Sequence, residues 1–140
     1  MPNPKTYDIF ISHAWRYSDD YNSLVELLNE AQNFKWRNYS DSRHDPVVDP
    51  NDDVGRRKLV KELDEQIRPV NCVIVISGMY VTYSDWIQIE IDIAKQYKKP
   101  IIGVKPRGQE RTPQTVQDVA DEMVGWNTDS LVSAIRRHAL

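Results

Sequence analysis

The chain has 140 residues, 40% of them hydrophobic and 28% charged, a size and balance that suit one packed domain around one core. Lys and Arg number 18 against 21 Asp and Glu, and the net charge of −3 offers no footprint for gripping a nucleic-acid backbone. No stretch approaches the ~20 apolar residues of a membrane span, Met1 to Thr6 carries no apolar run, and the single cysteine, Cys72, excludes an internal disulfide, so a cytoplasmic protein is expected.

Strand-like and helix-like segments alternate along the chain. Tyr7-Asp8-Ile9-Phe10-Ile11-Ser12 is a short apolar run of strand formers and reads as the first strand. From Ser18, a fitting N-cap, the apolar residues Tyr21, Leu24, Val25, Leu28 and Ala31 recur at helical spacing. Phe34-Lys35-Trp36-Arg37-Asn38-Tyr39 alternates apolar and polar, which predicts a second strand with one wet face at an edge of the sheet. Ser40 to Asp53, broken by Pro46 and Pro50, reads as a long loop of the kind that carries function. Asp52 or Asp53 then caps a charged helix with Val60, Leu63 and Ile67 inward, stopped by Pro69.

Cys72-Val73-Ile74-Val75-Ile76 is an unbroken apolar run, mostly β-branched, the pattern of a parallel strand covered on both faces, and is expected at the centre. A helix follows from about Ser84 to Lys99, then a buried strand Pro100-Ile101-Ile102-Gly103-Val104 and a polar loop from Lys105 to Pro113. Val119, Val124 and Trp126, with Leu131, Val132 and Ile135, form a last strand-and-helix unit. The prediction is a single α/β domain over residues 1–140: a three-layer, flavodoxin-like fold with five mostly parallel strands in the order 2-1-3-4-5. In such sheets ligands bind beyond the strands' carboxyl ends where the chain order reverses, here Ser12-His13-Ala14-Trp15 and Ser77-Gly78-Met79-Tyr80.

The helix after the third strand carries the most information. With Trp86 set at zero and ~100° per residue, Ile93, Tyr97, Ala94, Ile87, Ile91 and Ile89 form a broad apolar arc. Gln88, Asp92, Lys95 and Lys99 cluster opposite, at roughly 180° to 240°. Glu90 falls at about 40°, inside the apolar arc and one turn after Trp86. A solvated-face reading fails, because four other polar residues already fill that face. Burying a carboxylate costs several kcal/mol unless it is paired, so Glu90 is either a paired structural acid or a functional group.

Asp8-Ile9-Phe10-Ile11-Ser12 resembles the opening strand of TIR domains, and Ser84-Asp85-Trp86-Ile87-Gln88-Ile89-Glu90-Ile91 resembles the family's Ser-x-Trp-x-x-x-Glu-Leu segment. Pro100-Ile101-Ile102-Gly103-Val104 is similar to the family's next strand. Two departures stand out: Ile87 where the family often has Cys, and His13-Ala14-Trp15 in place of a Tyr-Ser pattern. The Ile-Ser-His opening and Phe34 to Ser40 look more like the bacterial and archaeal TIR-like subfamily, which includes NAD-consuming sensors of Thoeris-type antiphage defence.

The resemblance implies cleavage of the nicotinamide–ribose bond of NAD+, with NAD+ as substrate and no separate cofactor. The family's glutamate maps to Glu90 as the catalytic carboxylate, and its Trp maps to Trp86, whose flat face could stack on a base. Ser12, His13, Asn38, Ser40 and Ser84 complete the substrate-binding candidates. Self-association and a downstream effector that senses the nucleotide product are the partners implied; a nucleic acid or a membrane is not.

Plainer readings stand beside these. His13 suits an ordinary loop position, Trp86 suits the core, and Cys72 is a small core residue. Arg56-Arg57-Lys58 reads as the exposed first turn of a helix, or as a phosphate contact. His13, His44 and His138 lack metal-ligand spacing, so no metal is expected. A phosphoacceptor receiver falls because Ser-His-Ala and Ser-Gly-Met occupy its acidic positions, and a flavin carrier falls because the first loop, His13-Ala14-Trp15-Arg16, has no Gly. Two alternatives remain open: a non-catalytic TIR-type interaction module and a nucleoside deoxyribosyltransferase.

Overall fold

The computed structural model describes residues 6–12, 19–39, 53–76, 80–105 and 114–140; within the helices, the side chains of 19–21, 53–56, 58–59, 80–86 and 114–115 fall outside that description. The elements are β1 (Thr6–Ile11), α1 (Asp19–Glu30), β2 (Lys35–Asn38), α2 (Asp53–Ile67), β3 (Cys72–Ile76), α3 (Tyr80–Gln96), β4 (Ile101–Val104), α4 (Gln114–Val119), β5 (Glu122–Val124) and α5 (Thr128–His138). The strands form one sheet in the order β2-β1-β3-β4-β5, as expected, and all four pairings are parallel.

β3 is central because its sequence permits no other place. All five of its residues are buried, so both faces must be covered by helices. β2 lies at an edge, where three of its four residues are exposed and Trp36 is half-buried. Its Arg37 sits in register with Asp8 and grips it with two hydrogen bonds, at 2.6 and 3.1 Å. α1 packs against α5 and α2 against α3. That pairing follows from right-handed crossovers on a sheet whose first connection runs one way and whose later ones run the other.

Three differences from the sequence reading have physical reasons. α3 begins at Tyr80, a turn before Ser84. Tyr80-Val81-Thr82-Tyr83 consists of β-branched and aromatic residues with weak helix propensity, so the sequence pattern alone does not announce this first turn. The short helix α4 precedes the last strand and is too brief to show periodicity. β5 has only three residues, less than the alternation test needs.

Helix ends are finished by local chemistry. Asn127 caps α5, its side chain accepting from the Ser130 amide at 2.8 Å. α3 ends in a Schellman arrangement: the Lys99 amide reaches the Ala94 carbonyl at 2.8 Å and the Lys98 amide reaches Lys95 at 3.0 Å. Lys98 takes the left-handed position, with φ of 56°, where glycine would be unstrained. At the start of β3, Asn71 ties three segments together. Its backbone amide donates to the Asp8 carbonyl (2.6 Å), its side-chain oxygen accepts from the Asp8 amide (2.7 Å), and its side-chain amide donates to the Leu140 carbonyl (3.0 Å).

Among the described residues no helix is long and apolar enough to cross a membrane, and no group of three His, Cys, Asp or Glu side chains could hold a metal ion.

Candidate active site

The candidate site is built where β1 and β3 end. Ser12 follows the last residue of β1, and its amide donates to the Ile74 carbonyl of β3 at 2.7 Å. That bond extends the ladder one residue beyond the strand and holds Ser12 against the central strand at the switch point. Its hydroxyl is wholly buried and has no hydrogen-bond partner among the described residues. A buried hydroxyl left this way forfeits about 1–3 kcal/mol, a penalty that a bound polar group would relieve.

α3 supplies the second group. Ile87, Ile89, Ile91, Ile93 and Ala94 are buried, while Asp92, Lys95 and Gln96 are exposed. The side-chain amide of Gln88 donates to Asp92 at 2.9 Å, one turn along the wet face. The wheel drawn from the sequence therefore matches the buried and wet faces, and Glu90 lies at 0% exposure between buried neighbours. Among the described residues, Ser12 and Glu90 are the polar or charged side chains in the buried class. Both are among the candidate site residues of the sequence.

The height of Glu90 on the helix matters. α3 runs back from the carboxyl edge of the sheet and delivers the chain to Ile101 at the start of β4. Glu90 precedes the last helical residue, Gln96, by six positions, or about 9 Å at 1.5 Å per residue. That rise is about the length of three strand residues.

Asn38 is the last residue of β2, exposed, and in register with Ile9, three residues short of Ser12. Ser84 and Trp86 lie on α3, with side chains outside the described set. His13 and Ser40 lie outside the described residues altogether. Arg57, in the basic run at the start of α2, is exposed, and Cys72 is fully buried in β3 as a core residue. A surface cleft between α1 and α5 and another at the foot of α3 include neither Ser12 nor Glu90.

The topology, with its switch point between β1 and β3, defines a doubly wound, flavodoxin-like protein. Residues 10–111 match the family model for the TIR-like domain of Thoeris protein ThsB, and the chain belongs to that family. The matched stretch contains both Ser12 and Glu90. Among solved structures, the chain is similar to the CMP N-glycosidase BcmB of Clostridium botulinum, with a TM-score of 0.52 and 15% identity over 93% of this chain and 98% of that one. At that identity the likeness is one of fold. A comparison with curated proteins found no match.

Proposed function

We propose that the protein cleaves the N-glycosidic bond between nicotinamide and ribose in NAD+, with the Glu90 carboxylate as the catalytic group. The observation that carries this reading is the complete burial of Glu90 on a helix whose wet face is filled by other residues; its rise of about 9 Å above the end of α3 supports placing it near the edge that carries Ser12. Membership of the ThsB TIR-like family supports a role in antiphage signalling.

The chemistry needs little else. As the C1′–N bond breaks, its electron pair moves to the pyridinium nitrogen and nicotinamide leaves neutral, so no acid need protonate it. Positive charge develops on the ribose as an oxocarbenium ion, as in glycoside hydrolysis. A carboxylate in a dry site stabilises that charge far better than water does. Ser12 would hold a ribose hydroxyl or phosphate oxygen at the rim, with Trp86 stacking on a base and His13, Asn38, Ser40 and Ser84 completing the binding surface. Addition of water at C1′ gives ADP-ribose and a proton; addition of a group from the same or another molecule gives a cyclic or conjugated product.

A second reading has a specific observation behind it. BcmB, which shares the fold over nearly its whole length, is an N-glycosidase of CMP. The same carboxylate would then serve a nucleoside monophosphate and release a nucleobase, a reaction close to that of nucleoside deoxyribosyltransferases. Incubation of the protein with NAD+, CMP and deoxynucleosides in parallel, with products identified by mass spectrometry, separates the readings. Nicotinamide release supports the first and cytosine release the second. Inertness of all substrates, under conditions where the chain self-associates, would favour a non-catalytic interaction module.

A further inference from the structure

The foot of α3 holds a feature that the Glu90 site does not use. Lys95, Lys98 and Lys99 line an open surface cleft of about 410 Å³ there, together with Pro100, Ile101, Asp121 and His138. It opens at the amino-terminal edge of the sheet, opposite the edge that carries Ser12. Its volume lies within the ~300–1,000 Å³ of small-molecule sites.

The charge balance of this cleft is what makes it a site. None of the three lysine ammonium groups has a hydrogen bond or ion pair with a described residue. The nearby acids already have partners other than these lysines. Asp121 accepts from the Ile101 amide at 2.7 Å, and Glu122 holds Arg137 in an ion pair and meets His138 at 3.0 Å. Three positive charges therefore gather against one committed carboxylate, in a chain whose net charge is −3. The carboxyl end of α3 opposes an anion with roughly half a negative charge, and the Schellman bonds already occupy two of its carbonyls. Three full cationic charges outweigh that term, and complementing the helix dipole would take only one of them.

We infer that this cleft binds a phosphate-bearing small molecule of the di- or triphosphate class. Lysine ammonium groups hold phosphate as point charges, and three of them around one concavity suit adjacent phosphoryl groups better than a single carboxylate or sulfate. The site is separate from the Glu90 edge and stands whether or not NAD+ is the substrate there.

Lys98 allows a test that folding failure cannot obscure. It occupies a left-handed position that glycine prefers, so Lys98→Gly removes an ammonium group while improving the helix end. Binding of inorganic pyrophosphate and of ATP is measured by calorimetry on the full chain, with sulfate and sodium chloride at matched ionic strength as controls. The expected result is saturable binding that weakens at least about tenfold in Lys98→Gly, with a Tm no lower than wild type, and disappears in Lys95→Gln/Lys98→Gly/Lys99→Gln. Equal binding by wild type and the triple variant would overturn the site. So would heats that follow ionic strength alone, or a nucleic-acid duplex that binds through the same lysines more tightly than pyrophosphate.

Discussion

Gly103, in the middle of β4, offers a test of the packing beneath the sheet. A Cβ at that position would lie 2.2 Å from the Met123 Sδ, 2.9 Å from its Cε and 3.4 Å from a Val116 methyl. The first two distances are far inside contact, so Gly103→Ala forces Met123 to move. Two opposing effects set the outcome. Overpacking in a core costs about 1–3 kcal/mol, while Ala in place of Gly at an unstrained backbone position gains about 0.4–1 kcal/mol through the unfolded chain. The clashing atoms are the flexible end of a half-buried methionine, which places the cost in the lower half of its range. A net loss of about 1 kcal/mol is expected, and for a chain of this length that lowers Tm by about 3–4 °C. Met123→Ala should restore the space, so Gly103→Ala/Met123→Ala should be more stable than the sum of the single losses. Thermal and urea unfolding of the four proteins gives the cycle. Unchanged or raised Tm in Gly103→Ala, or strict additivity in the pair, would refute the contact.

Glu90→Gln should lower NAD+ turnover by ~100- to 1,000-fold, because it keeps the side chain's shape and removes only the charge that meets the developing cation; turnover at the wild-type rate would remove Glu90 from the chemistry. Asn71→Ala should cost about 1–3 kcal/mol and raise the exchange rate of the Asp8 amide, since that half-buried donor loses its acceptor. The Asp64 carboxyl is held below its usual value, first by the Tyr97 hydroxyl and then by Arg68. A depressed carboxylate contributes stability that is present above its unfolded value near 4 and is lost as pH falls through the lower folded value. Tyr97→Phe should therefore move the Asp64 titration upward by NMR and flatten the acid limb of the stability curve. An unmoved titration would show that the hydroxyl has no such effect.

Some residues announce their place because one physical demand dominates them. Cys72 to Ile76 has no polar residue to offer solvent, so it can only be a covered central strand. Glu90 is legible because a regular helix turns position into direction, and its neighbours leave a carboxylate nowhere wet to point. Elsewhere several weak demands compete. The first turn of α3 is made of residues with weak helix propensity, and α4 and β5 are shorter than the periods that would reveal them. The Asp8–Arg37 clasp depends on register between strands 29 residues apart, which no local pattern encodes. The lysine cleft escapes for a related reason: Lys95 and Lys99 look like an ordinary solvated face until Asp121 and His138 arrive from the end of the chain.

The strand order also governs how the chain comes together during synthesis. β1 can pair with β2 as soon as residue 38 is free, but its other edge waits for β3, which ends at Ile76. Between Ile11 and Ile76 lie 65 residues of elongation, about 3–13 s at ~5–20 residues per second. For that interval Ile9, Phe10 and Ile11 present an unpaired apolar edge, the kind that joins other chains. A nascent chain paused before residue 72 should thus be the species most prone to aggregate or to recruit a holdase, and release of that dependence should coincide with the emergence of β3.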